Sequence, residues 1–147
     1  MNKAIQTLLT GMFIVFILDF FLFLGILINY IDFYKVDLYY NILFADNQNV
    51  YLFFGLSIVL GFLVVYIKNY KISLGLIAVL SVATLSTLTQ DIGRSVGENM
   101  LMTKNTTLKT PKHLYVGDII YDGRQNITFY DYNFKKTVVL EKKDLIK

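Results

Sequence analysis

The sequence predicts a membrane all-α region of three transmembrane helices followed by a small C-terminal all-β domain, an SH3-like or OB-like meander. Three observations carry that expectation. The 147 residues have a mean hydropathy of +0.52, high for a soluble chain of this length. The apolar excess is confined to residues 4–90, and the remainder is polar. Beyond residue 112 the pattern changes to short β-branched and aromatic runs separated by turn signals. The expected organisation is a three-helix transmembrane domain over 1–90, a juxtamembrane helix extension and linker over 91–112, and a β-strand domain over 113–147.

The first span reads from Leu8 to Ile31. A hydrocarbon core about 30 Å thick needs roughly 20 helical residues, so this run is long enough to cross with some tilt. Lys3 gives it a charged start, as in a signal peptide. The apolar run exceeds a typical signal core, however, and no small-x-small cleavage site follows Gly25, so it reads as a retained helix. Residues 32–49 are acidic and aromatic, with Tyr39/Leu43 and Tyr40/Phe44 repeating at i, i+4. That pattern fits a short interfacial helix.

The second span is Val50 to Ile67, free of charge, with Ser57 and Gly61 as a small-xxx-small pair suited to close helix packing. Lys68-Asn69-Tyr70-Lys71 form a tight polar turn into the third span, Ile72 to about Thr89. So short a connection forces an antiparallel hairpin. Lys3, Lys68 and Lys71 fall on one side of the membrane and the acidic loop on the other. The positive-inside rule then puts the amino terminus in the cytoplasm and the C-terminal domain on the periplasmic side.

Gly93 and Gly97 lower the stability of any helix continuing past residue 90, and residues 105–111 are linker by composition. In the tail, strands are expected around 114–121, 127–132 and 137–140, with turns at Asp122-Gly123 and 133–136. Three strands are few for a free-standing domain, so a small barrel or a packing partner is needed to complete the burial. The run VGDIIYDG, a strand, then VVLEKKDL occurs in many unrelated small barrels and names no family.

Composition excludes several chemistries. Cysteine is absent, so disulfides and thiolate metal sites are impossible. His113 is the single histidine, and Asp118 and Asp122 lack ligand-like spacing to it, so no metal or other cofactor is expected. Ser95-Val-Gly97 lacks the preceding strand of a nucleophile elbow, and no glycine-rich loop is followed by Lys-Ser/Thr. The net charge of +3 is too small to point to nucleic acid, and the basic edge Lys135, Lys136, Lys142, Lys143 reads as protection of sheet edges.

What remains is polar chemistry inside the apolar segment. Asp19 stands in the first span, where an acid costs about 2.5–3.5 kcal/mol at a helix centre and is expected to face other helices. Two readings compete: a proton, cation or partner site, or a structural hydrogen bond inside the bundle. Ser81, Thr84 and Thr87 share one stripe of the third span and are the expected partners, with Asp19 bonding Ser81 or Thr84. Asp91, Arg94 and Glu98 follow at helical spacing as an interfacial ion-pair cluster.

These features lead to an expected accessory or assembly subunit of a bacterial inner-membrane complex. Its partners are the lipid bilayer and other membrane subunits or a second copy. The abundance of Ile, Phe, Tyr, Lys and Asn is the mark of an AT-rich bacterial coding sequence. The alternatives are an oligomeric ion or small-solute transporter using Asp19, and a membrane enzyme acting on lipid at the interface through Asp91, Arg94 and Glu98.

Overall fold

The computed structural model describes residues 2–146. Its helices are α1 (Lys3–Ile26), α2 (Tyr40–Asn47), α3 (Val50–Tyr66), α4 (Tyr70–Ser86) and α5 (Gln90–Leu101). The antiparallel sheet that follows has strands β1 (Thr103–Lys109), β2 (Leu114–Asp122), β3 (Asn126–Asp131) and β4 (Lys136–Glu141) in the order β1-β2-β3-β4.

Asparagines start three of the helices. The Asn2 side chain accepts from the Ala4 amide at 3.1 Å, Asn49 from Leu52 at 3.1 Å and Asn69 from Lys71 at 3.2 Å. Each satisfies an amide that has no intrahelical acceptor. In an apolar solvent such a group has no water to turn to, so these caps matter most there.

α1 continues through one π-helical turn, Leu27–Ile31, making a 29-residue rod long and apolar enough to cross a bilayer. The other helices pass that test only as bent pairs. α2 and α3 meet at 84°, and α4 and α5 at 91°. The third apolar segment, read from the sequence as running to Thr89, breaks after Ser86. The freed Thr87, Leu88 and Thr89 amides donate instead to the carbonyls of Thr84, Leu85 and Ser86.

α1 and α3 pack antiparallel with their backbones in direct contact. A Cβ at Gly11 would overlap the Ser57 carbonyl, and one at Gly61 would overlap the Thr7 carbonyl. This register brings Val50 level with Leu18. Around the crossing, Val15, Leu18 and Leu60 are buried, with Leu80 of α4 packed against them.

The extra residue of the π-turn carries Asn29, Tyr30 and Ile31 inward together. Tyr30 and Ile31 join Phe23, Ile26, Val36, Leu43, Ile120 and Tyr121 in the main core. The sheet thus shares one core with the helices. The reason lies in β2, where the register shifts between Ile119 and Tyr121. The bulge adds Ile120, so that both Ile120 and Tyr121 reach the helices. Ile119, paired with Phe129, faces the other side, where Phe129 is fully buried against Tyr115.

Residues 105–111, linker by composition, lie largely in strand β1. It pairs with β2 through a second bulge at Asn105, whose φ is 54°. The chain then closes on itself. After the 3-10 turn Lys142–Asp144, the Ile146 amide donates to the Lys109 carbonyl at 2.8 Å.

Candidate functional site at the helix–sheet junction

Polar side chains converge where α2, α5 and the π-turn meet the sheet. Tyr30, fully buried, donates to the Ile120 carbonyl at 2.6 Å. Asn29 donates to the Thr87 carbonyl at 2.9 Å, tying α1 to the end of α4. Tyr34 donates to a Glu98 carboxylate oxygen at 3.0 Å. Asp118 Oδ1 accepts from the Asn105 amide at 2.9 Å and from the Tyr132 hydroxyl at 2.5 Å.

Two clefts open at this junction. One, of about 480 Å³, lies between α2 and the sheet. Val36, Leu38, Ile42, Tyr121 and Val139 give it apolar walls, and Arg124 reaches over it to Asp46. The other, of about 310 Å³, is lined by Tyr34, Glu98, Lys104, Asp118 and Tyr130. Burial and the hydrogen bond to Glu98 push the Tyr34 phenol up to about 12. The hydrogen bond to Asp118 likewise raises the Tyr132 phenol above its ordinary value. Both phenols are therefore held protonated as donors, which suits fastening.

Asp19 lies level with the start of α3, near the α2–α3 elbow. Gln48 donates to Asp19 Oδ2 at 2.9 Å. The expected bond to Ser81 or Thr84 is not formed. The threonine hydroxyls of the stripe serve backbone instead: Thr84 donates to the Ser81 carbonyl at 3.1 Å, and Thr87 to the carbonyls of Thr84 at 2.6 Å and Phe21 at 3.3 Å. Thr87 of that stripe hydrogen-bonds α1 through its side chain. The physical reason is the 84° elbow, which folds Gln48 back onto α1 and supplies a nearer partner.

Among the described residues, Asp91, Arg94 and Glu98 form no ion pair with one another. The Arg94 guanidinium lies 3.9 Å over the Phe33 ring, its Nε buried without an acceptor, and Glu98 is taken by Tyr34. Ser57 and Gly61 are buried against Thr7 and Gly11 of α1. His113 is exposed in the β1–β2 turn, where its amide donates to Thr110 Oγ1. No group of three or more His, Asp or Glu suited to a metal occurs among the described residues.

The sequence reading did not single out Gln48, Asn29, Tyr30 or Tyr34. The run Asn29-Tyr30 at the polar end of a long apolar segment was the available signal. No family model matches the chain, and neither the search of curated proteins nor that of solved structures returned a match.

Proposed function

We propose that the chain is an accessory or assembly subunit of a bacterial inner-membrane complex, presenting its helices and its sheet to partner subunits. The observation that supports this reading best is how the junction uses its polar groups. Asp19, Asp46, Glu98 and Asp118 each hold another part of the same chain, through Gln48, Arg124, Tyr34 and Tyr132. The chemistry is that of a brace. What stays open is surface. Ser73 is the only buried residue of α4, Gly75 has nothing within 4 Å, and Val139 on β4 is 64% exposed.

In this proposal each bent pair contributes one further span, giving three crossings with α3 and α4 as the membrane legs. Lys3, Lys68 and Lys71 then gather at the cytoplasmic end, and the sheet lies on the periplasmic side with Asp32, Asp37 and Asp46. The return of Ile146 to Lys109 supports an SH3-like curl of the sheet. Native purification in a mild detergent, followed by mass spectrometry of the intact assembly, tests the function. The expected result is a stoichiometric partner subunit that is lost on Val139→Glu or Gly75→Leu. Recovery of the native protein as a lone monomer overturns it.

A further inference from the structure

The level at which α5 lies follows from two registers. Gly61 beside Thr7, and the 2.6 Å bond from Ser73 to the Leu63 carbonyl, place Lys68 and Lys71 near the Lys3 end of α1. A hydrocarbon layer of about 30 Å, at 1.5 Å per residue, extends roughly 20 residues from there, to the neighbourhood of Phe23. Thr87, at the end of α4, contacts Phe21 and Gly25. The chain therefore reaches the edge of the layer and there turns through 91° into α5. α5 rests on Asn29 and Tyr30 through Gly93 and Gly97, about 6–10 Å further out by the same rise. That is the depth of the glycerol and headgroup region.

α5 has two apolar faces: one is occupied inside the protein, and the other is covered only at its middle. Gly93 and Gly97 meet the π-turn. A second face carries Ile92, Val96 and Met100, spaced by four residues; Val96, half-buried, packs against the main core. Ile92 is 45% and Met100 47% exposed. Arg94 and Glu98 point elsewhere, toward Phe33 and Tyr34, which follow the π-turn and lie farther from the Lys3 end of the rod. At about 100° per residue Ile92 lies about 200° from Arg94, and Met100 the same from Glu98, so the exposed apolar side chains point back toward the Lys3 end. The exposed Leu88 joins them to the uncovered apolar flank of α4, Val82 and Leu85.

We infer that α5 is an in-plane membrane helix, whose exposed Ile92 and Met100 dip into the acyl chains of the leaflet on the sheet side. This inference rests on the reading of the chain as a membrane protein. The occupant is lipid, because exposed Ile92 and Met100 are continuous, through Leu88, with the uncovered flank of α4. A partner helix docked on α5 instead is an outcome of the test.

The test uses the full chain, whose lack of native cysteine leaves single-cysteine variants unambiguous. Ile92→Cys, Met100→Cys, Asp91→Cys and Val79→Cys are spin-labelled and reconstituted in mixed phosphatidylcholine–phosphatidylglycerol vesicles. All four side chains are exposed, so the labels displace no packed core. Collision with oxygen, which concentrates in acyl chains, is compared with collision with a water-soluble nickel chelate. Labels at 92, 100 and 79 are expected to favour oxygen, and the label at 91 the chelate. If 79 favours oxygen while 92 and 100 behave like 91, or are shielded from both reagents by a partner, the inference is overturned and the membrane reading stands. If 79 favours the chelate, the membrane reading fails and takes this inference with it.

Discussion

Tyr30 donates a 2.6 Å hydrogen bond across 90 positions of sequence to the carbonyl of Ile120, joining the π-turn of α1 to the bulge of β2. Both residues have no exposed surface. Tyr30→Phe keeps the ring in the core but leaves a buried carbonyl without its donor. The expected loss is about 1–3 kcal/mol. It is read as a lower midpoint of detergent-resistant folding, with faster amide exchange in β2 than in the native chain. Unchanged exchange in β2 would show that the bond does not hold the sheet.

The α1–α3 crossing admits no side chain at Gly11. Gly11→Leu must push the helices apart, and overpacking of this kind costs about 1–3 kcal/mol. Gly55→Ala is the control, because nothing lies within 4 Å of that glycine. It is expected to be neutral or to stabilise by up to about 1 kcal/mol through helix propensity. Thermal unfolding of the two variants side by side checks both signs.

Alkaline titration tests the Tyr34–Glu98 bond. The folded-state pKa of Tyr34 is raised to about 12 from an ordinary 10.0. The folded chain therefore holds this proton more tightly than the unfolded one. The resulting stabilisation is fully present below pH 10 and is lost as pH rises from there through 12. Tyr34→Phe should remove the phenolate transition near 12 seen at 295 nm and flatten the fall in stability across that window. A native spectrum without a transition near 12 contradicts the geometry.

Arg124 and Asp46 bridge the sheet and α2 at 2.5 Å, but the Arg124 side chain is 71% exposed. Solvent and salt screen such a pair, and a double-mutant cycle of Arg124→Ala with Asp46→Ala should return no more than about 1 kcal/mol. Raising the salt concentration should shrink the coupling further. A large, salt-independent coupling would mean that the cleft beside the pair closes more tightly than its exposure implies.

The sequence made parts of this fold legible and hid others for identifiable reasons. Strands β2, β3 and β4 stand out because their β-branched and aromatic residues lie between turn residues, as in Ile127–Tyr130 and Thr137–Leu140. β1 does not. Thr103–Lys109 contains one apolar residue, Leu108, and forms a strand because β2 offers it an edge to pair with. Four strands and a returning C-terminus supply the burial that three could not.

Asp19 was harder still. Hydropathy gives the length of α1 but not how far its partners accompany it. The middle of the apolar run and the start of α3 become the same level only once Gly11 is set against Ser57. The elbows were invisible for a related reason. Neither break contains proline or glycine: residues 87–89 are Thr-Leu-Thr and residues 48–49 are Gln-Asn. The bends rest on the hydrogen bonds of Asn29 to Thr87 and Gln48 to Asp19, contacts far apart in sequence.

The core that unites Phe23, Ile26 and Tyr30 with Ile120 and Tyr121 has a bearing on synthesis. A ribosome delivers the helical half first, and for nearly ninety residues the end of α1 waits without its lid. A nascent chain halted before Leu114 leaves Phe23, Ile26 and Tyr30 without the strand that covers them. The burial of α1's end is thus deferred until β2 has been made, and the two halves of the chain mature as one unit.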